Sequence, residues 1–363
     1  MLGIGIHHDI EGKLVEIINK VNTADTPVLS LDIPSGIDAT NGQIHGCAIQ
    51  ADVTISFISH KPGLYTGVGA GHIGERLVDD LGLPADVFDA TPCLADFHDL
   101  VYWQAKRGKR SLAAHKGTAG TALLIGGNHS MSGAIQLAAT AALRAGVGLT
   151  KVVTQPDNLM TLTQEQPELM TYPPNQLSTL LTAVDALAIG PGLGLDDWAQ
   201  ALFKQTLQTP PLPSTCPFVL DADALKLLAQ TLQRPKEPNW VLTPHPGEAA
   251  VMLGCTTQEI QQDRINAIRL LQQKYGGVIV LKGNGTLIFD GEQMELCPLG
   301  NPGMAVGGMG DVLTGMIVSY LAQGMPLMDA ACLGVYQHAA IADQVIEQQS
   351  LTSLIPSDII ARL

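Results

Sequence analysis

Aromatic residues are the scarcest class in this chain of 363 residues, with Phe, Trp and Tyr together at 4%. Basic residues are also few, 20 Lys and Arg against 34 Asp and Glu, which leaves a net charge of −14. That balance argues against nucleic acid as a partner, because counterion release needs clustered cations. The six cysteines (Cys47, Cys93, Cys216, Cys255, Cys297, Cys332) lie far apart, with no C-x-x-C pair. They read as buried thiols of a reducing compartment, neither a disulfide framework nor a zinc site. No apolar run approaches the ~20 residues of a membrane span. The start carries His7, His8, Asp9 and Glu11 without an apolar signal core. The expectation is a soluble, cytoplasmic protein with no membrane contact. A Walker-A loop is missing too: Gly108-Lys109 is followed by Arg110, and Gly12-Lys13 by Leu14. Any nucleotide must be held in another way. Internal repeats are not apparent.

What the chain does have is aliphatic and small. Hydrophobic residues reach 46% with only 15% charged, and there are 38 glycines. This is the composition of close-packed helices on a parallel sheet, in a chain long enough for two or three domains. Near-continuous aliphatic runs at Thr26–Leu31, Val53–Ile58, Thr121–Ile125, Thr150–Thr154, Ala186–Ile189, Phe218–Leu220, Trp240–Leu242 and Val278–Leu281 read as buried strands. Helical stretches lie between them, among others 133–145, 197–208, 222–230, 247–253 and 263–274. The alternation predicts an α/β domain with helices on both faces of a mostly parallel sheet. Ligands in such sheets bind beyond the carboxyl ends of the strands. The polar, locally basic stretch from Thr91 to Arg110 marks a junction between a short N-terminal segment and a large C-terminal domain, and the four-proline piece from Thr209 to Pro217 reads as a surface loop. Residues 1–90 contain two to three strands, too few to bury a core alone. The segment must pack on the large domain or be the remainder of something larger.

One run stands out: N-P-G-M-A-V-G-G-M-G-D-V-L-T-G, from Asn301 to Gly315. Four glycines precede Asp311, and an apolar helix follows to Leu321, with Gly324 as a stop and Pro326 beyond. A Gly-rich turn opening a helix aims unpartnered backbone N–H groups and the helix dipole at one point, which suits a phosphate. A carboxylate in that first turn is placed to take a proton from a hydroxyl attacking the phosphate. The other reading is a plain turn with Asp311 as an ordinary helix-start residue. Asp-Ile-Pro-Ser-Gly-Ile-Asp, from Asp32, is either a ligand site at a strand end or a polar turn. Gly190-Pro191-Gly192-Leu193-Gly194 lacks dinucleotide-fingerprint spacing and is followed by Asp196-Asp197, so close backbone approach to a neutral ligand part fits better. Thr243-Pro244-His245-Pro246-Gly247-Glu248 holds His245 stiffly at a strand end, for ligand or for structure. Lys282-Gly283-Asn284-Gly285-Thr286 joins two strands, where Lys282 could meet a phosphate. Asp221 and Asp223 suit a metal–phosphate role or helix capping equally.

Taken together, these pieces resemble a known family. From about His115 to the C-terminus the chain is similar to the NAD(P)HX dehydratases of the ribokinase-like superfamily. H-K-G-T-A-G (from His115), I-G-G-N (from Ile125), S-G-A (from Ser132), G-P-G-L-G (from Gly190), D-A-D-A-L (from Asp221), T-P-H-P-G-E (from Thr243), L-K-G (from Leu281) and the Asn301 run carry the match in order. Val306 departs from it where many relatives have a small hydroxyl residue. Residues 1–90 resemble the second half of the NAD(P)HX epimerase domain, through L-G-I-G (from Leu2), the Asp32 motif and H-K-P-G-L (from His60); the N-N-G-G-D-G loop of that family does not occur.

The resemblance implies a ribokinase-like three-layer α/β/α domain over residues 93–363, behind a partial, Rossmann-like epimerase segment over residues 1–92. It implies that (6S)-NADHX or NADPHX is dehydrated at the expense of ADP or ATP with Mg²⁺, through phosphorylation of the C6 hydroxyl. Asp311 would act as base. Ala134, Gly194, His245 and Asp311 would border the hydrate. Lys282, Gly283, Asn284, Gly285, Thr286, Asn301, Gly307, Gly308, Met309 and Gly310 would border the nucleotide, and Mg²⁺ would have no all-protein cage. Asp311, with an unperturbed pKa of ~3.9, would be ionised at neutral pH. Asp32 and Ser35 would be remnants of a site for the hydrate and a monovalent cation, without epimerase activity. A homotetramer is implied as well. The alternatives are a ribokinase-like kinase of a small alcohol and a non-catalytic nucleotide-binding protein.

Overall fold

Seven short strands with almost no polar residue facing outward can be satisfied only if helices cover them on both sides. That is the arrangement in the computed structural model, which describes residues 2–84, 86–87, 91, 93–208, 216–231 and 239–363. The chain forms two sheets. The small one pairs β1 (Leu29–Leu31), β2 (Val53–Phe57) and β3 (Glu75–Asp79) in parallel. The large one comprises β4 (Thr121–Ile125), β5 (Leu149–Val153), β6 (Met170–Tyr172), β7 (Ala186–Ile189), β8 (Phe218–Leu220), β9 (Trp240–Leu242), β10 (Val278–Leu281), β11 (Thr286–Phe289) and β12 (Met294–Cys297). Its order is β12-β11-β10-β9-β8-β7-β4-β5-β6, parallel from β6 to β10, with β11 and β12 closing one edge as an antiparallel hairpin. The connection leaves β4 towards β5 on one side and resumes at β7 on the other. The crevice between the ends of β4 and β7 is therefore the switch point where such sheets receive ligands.

Two apolar cores lie on the two faces. One is built by the helices Ser132–Arg144, Met309–Ala322 and Leu327–Ile346. The other is built by Asp197–Gln208, Asp223–Gln230, Pro246–Leu253 and Arg264–Tyr275. The N-terminal segment joins this second core through Ile33, Ile37, Leu64, Tyr65 and Ile73. Its small sheet shows why it needs that support. Ser30, Thr54 and Ser56 are buried on one face, while Leu29, Leu31 and Leu77 on the other are exposed.

Several sequence expectations change in detail. The first strand begins at Leu29, three residues later than the apolar run suggests. The stretch 91–110 is more than a junction: Asp96 bridges to Glu295 on β12, His98 hydrogen-bonds to the Glu295 carboxylate, and Trp103 in the helix Leu100–Lys106 is buried. Of the proline-rich piece, residues 209–215 lie outside the described residues. Gly324 does follow the Asp311 helix at a left-handed φ of 89°.

The helices Ser132–Arg144 and Met309–Ala322 pack closely at Gly315, where a Cβ would sit 2.0 Å from the carbonyl oxygen of Ala138. Gly315→Val is expected to destabilise the fold by about 2 kcal/mol or more through overpacking. Gly133→Ala, on a helix face where a Cβ meets nothing within 4 Å, should be neutral or slightly stabilising. Urea unfolding of the two variants checks this; equal midpoints would refute the close packing.

Candidate active site

The helix Met309–Ala322 begins at Gly308, whose φ of 96° turns the chain into the helix, and no side chain caps that end. Backbone N–H groups of the first turn therefore remain available to a ligand. Asp311 sits in this turn. Around it the ends of three neighbouring strands deliver charged groups. Asp221 follows β8 and is almost fully buried. Lys282 follows β10, and its Nζ lies 2.8 Å from Asp221 Oδ1 and 3.8 Å from Glu248 Oε2. Thr314, one turn along the helix from Asp311, donates its hydroxyl to Asp221 Oδ2 at 2.8 Å. The loop after β9 is tied to this arrangement because Lys282 N donates to Pro244 O at 2.9 Å.

The electrostatics follow from counting. Asp221, Glu248 and Asp311 face a single lysine. Burial above all, joined by Asp221 and Glu248 and opposed by Lys282, raises the Asp311 carboxyl to about 7. An unperturbed, fully ionised Asp311 is thus corrected: near neutral pH it is poised between its two forms. Burial likewise raises the Glu248 pKa. Desolvation works against charge on Lys282, but Asp221 and Glu248 outweigh it and raise its pKa.

His245 serves the fold as well as the site. It caps the helix Pro246–Leu253, with Nδ1 accepting from Gly247 N at 3.0 Å and Glu248 N at 3.3 Å, while Glu248 returns a bond to His245 N at 2.8 Å. An accepting Nδ1 puts the ring proton on Nε2, which lies 3.4 Å from Glu248 Oε1. Burial, with Lys282 nearby, lowers the His245 pKa, which favours this neutral tautomer.

The other predicted residues fall into groups. Ala134 lies in the first turn of the helix Ser132–Arg144, against the Gly190–Gly194 turn, and a Cβ on Gly192 would lie 3.2 Å from Ala134 Cβ. Gly194 N donates to Asp223 Oδ2 at 3.0 Å, so Asp223 braces this turn and also pairs with Lys226. Gly310 touches the ion pair: a Cβ there would lie 3.1 Å from Lys282 Nζ. Met309 is buried, and Gly307 has open space beside it. Gly283 and Asn284 are exposed in the β10–β11 turn, which Thr286 closes by donating to Gly283 O at 3.0 Å. Asn301 is engaged within its own loop: Nδ2 donates to Asp343 Oδ1 at 2.8 Å and Oδ1 accepts from Gly303 N. Asp32 and Ser35 belong to the small sheet. Asp32, at φ 69°, accepts from Lys61 Nζ at 2.6 Å, and the Ser35 hydroxyl exchanges bonds with the backbone of Leu2.

Sequence reading left Glu248 and Thr314 out of the site and gave Asp221 no decided role. The available signal was position: Asp221 stands one residue past β8, Glu248 in the first turn of the helix after β9, and Thr314 one turn beyond Asp311. Among the described residues no group of three His, Cys, Asp or Glu side chains is arranged to hold a metal.

Solved structures share this architecture. A ribokinase-like superfamily protein from Enterococcus faecalis is 30% identical with a TM-score of 0.69, covering 75% of this chain and 95% of that one. An ADP/ATP-dependent NAD(P)H-hydrate dehydratase from Bacillus subtilis, co-crystallized with ATP and Mg²⁺, is 32% identical with a TM-score of 0.65, covering 74% of this chain and 97% of that one. Fold and site thus define a ribokinase-like α/β protein. The profile of NAD(P)H-hydrate dehydratases matches residues 122–363, and that of the YjeF-related protein N-terminus matches residues 1–63. All of the chain aligns with the bifunctional NAD(P)H-hydrate repair enzyme Nnr of Coxiella burnetii at 42% identity, covering 74% of that protein, and with that of Escherichia coli at 38%, covering 70%. The chain belongs to the NAD(P)H-hydrate dehydratase family.

The Asp311 carboxyl raised to about 7 has a thermodynamic consequence. The folded state holds its proton more tightly than the unfolded state, so stability from this group is present below about pH 4 and is lost as pH rises to about 7. Asp311→Asn lacks this loss. It should unfold at higher denaturant than wild type above pH 7, by about 2–4 kcal/mol, with the gap closing towards pH 4. A gap independent of pH in chemical denaturation would contradict the shifted carboxyl.

Proposed function

We propose that the chain dehydrates (6S)-NADHX or NADPHX back to the reduced nicotinamide nucleotide, with ADP or ATP as phosphate donor and Asp311 as the base. The observation that carries this is a carboxyl near pKa 7 in the first turn of an uncapped, Gly-rich helix start, beside a lysine paired with the buried Asp221. Hydroxide is a poor leaving group, whereas phosphate is a good one. Asp311 accepts the proton of the C6 hydroxyl as that oxygen attacks the terminal phosphorus of the nucleotide. The bond from that phosphorus to the bridging oxygen breaks as the new O–P bond forms. The C6–O bond then breaks with loss of a proton from C5, releasing phosphate and restoring the ring double bond. A loose phosphoryl transition state asks little of a base, so positioning and charge stabilisation dominate. The first-turn N–H groups up to Gly310 supply that stabilisation to the phosphoryl oxygens.

Lys282 holds Asp221 and Glu248 in place and keeps the pocket from being purely anionic. Mg²⁺ fits here as a companion of the nucleotide, offsetting phosphate charge beside the Asp221 and Asp311 carboxylates. In this reading residues 93–363 are the catalytic unit and residues 1–92 pack against it. The same reading has the chain without epimerase activity, which is supported by Ser35, the expected cation contact, being buried and bonded to Leu2, and by Asp32 being paired with Lys61. Interconversion of the two NADHX epimers by the purified chain above the spontaneous rate would overturn that part.

Asp311→Asn is expected to lower turnover at least about a hundredfold while the Kd for ADP stays within about threefold. The return of reduced-nicotinamide absorbance from (6S)-NADHX, with ADP and ATP in parallel, measures it, and near-wild-type turnover would remove Asp311 from the reaction. In the wild type, kcat/KM should fall as pH drops through about 7. Asp221→Asn removes a like charge beside Asp311 and should move this acid limb to lower pH; a limb that stays put would show that Asp311 is not the titrating base.

A further inference from the structure

We propose that Thr66, in the N-terminal segment, is a positioning residue for the Lys282–Thr286 loop, so that this segment keeps the nucleotide end of the site in shape. The inference rests on that loop being the nucleotide loop. Thr66 is fully buried, although it lies 218 residues before Asn284 in sequence. Its hydroxyl faces the carbonyl oxygens of Asn284 at 3.2 Å and Gly285 at 3.3 Å, and accepts from Arg264 Nε at 2.8 Å. Arg264, itself 1% exposed, reaches the same loop from the helix Arg264–Tyr275. Its guanidinium donates to Leu281 O at 3.1 Å, Lys282 O at 3.3 Å and Gly285 O at 3.4 Å. Every carbonyl from Leu281 to Gly285 except that of Gly283 thus accepts from Thr66 or Arg264, and Thr286 takes the Gly283 carbonyl.

The contact is also steric. The place a Cβ would take on Gly285 lies 2.0 Å from the carbonyl oxygen of Tyr65, so the two backbones are pressed together. The segment is held firmly where it makes this contact. Gly63 N donates to Ala39 O, Gly69 N donates to Gly42 O, and Leu64 and Tyr65 are part of the second core. Carbonyls turned inward onto Thr66 and Arg264 leave the opposite edge of the turn, Gly283 and Asn284, facing solvent. Removing the Thr66 hydroxyl leaves Arg264 Nε without a partner in the interior and unties the Asn284 carbonyl from the N-terminal segment. The turn then loses its fixed shape, and binding has to restore it.

Thr66→Val in the full chain is expected to raise the nucleotide KM about tenfold with kcat within about twofold, and Thr66→Ser to restore the KM to within about threefold of wild type. A folded Thr66→Val protein with the wild-type nucleotide KM overturns the proposal. Hydrogen exchange of the wild-type chain with and without ADP and Mg²⁺ tests it independently of any variant. Because coupling is reciprocal, slowed exchange is expected in both 282–287 and 63–67. Slowing in 282–287 alone overturns the positioning role and leaves the nucleotide loop standing. Slowing in neither sinks the nucleotide-loop reading and this inference with it.

Discussion

The ion pair between Lys282 and Asp221 is the constraint on which the rest of the site depends. A lysine and an aspartate at the ends of β10 and β8 leave water together, and each is tolerable there only because of the other. The remaining bonds are complete: Asp221 takes the Thr314 hydroxyl on its second oxygen, which fixes the rotation of the Met309–Ala322 helix relative to the sheet. That rotation decides where Asp311, one turn earlier, presents its carboxyl. Glu248 adds a third negative group that the single lysine cannot also neutralise. The pocket is left short of positive charge, and that deficit adds to burial, the main cause, in raising the Asp311 carboxyl.

The charge deficit and the helix start act on the same spot for different reasons. Gly308 and Gly310 are there because the chain must turn sharply and then pass over Lys282 without a side chain between. Their consequence is a row of first-turn backbone donors that no side chain caps among the described residues. Carboxylates alone would repel a phosphate; donors alone would bind one without doing chemistry. Side by side, they favour a phosphate arriving with its own cation and a hydroxyl arriving with a proton to give. The proposed reaction needs both.

The parts legible in the sequence were those where local pattern and function coincide. The aliphatic parallel strands β4, β5 and β7 to β10, the Gly-rich opening before Asp311 and the Gly324 stop could be read because each is a short-range signal, whereas β6, Met-Thr-Tyr at the sheet edge, has no aliphatic run and went unread. The helix Leu327–Ile346 is less visible, since it is buried on nearly all sides and alternates small and large residues without an amphipathic face. The edge strand β12 stays hidden for a related reason: Glu295 sits within it, buried, paying its desolvation through Tyr336 and His98, partners far away in sequence. Glu248 was readable as a capping residue but not as a neighbour of Lys282, because that proximity is made by the sheet. The pKa of Asp311 belongs to the same class. No local sequence shows that three carboxylates will share one lysine.

The N-terminal segment makes the same point on a larger scale. Its three strands bury small polar residues on one face and leave leucines exposed on the other, the reverse of what a self-supporting sheet requires. Its order comes instead from Ile33, Ile37, Leu64 and Tyr65 sharing a core with the strands and helices of the larger unit. Burial of this kind is non-directional and would hold the segment in several registers. Thr66 and Arg264 select one, since a buried guanidinium bonded to carbonyls tolerates no sliding. The specificity of the interface therefore lies in polar groups directed at a single loop, while its adhesion lies in the aliphatic residues around them. Such a division makes the segment part of the larger unit's geometry, whatever chemistry its own strand ends retain.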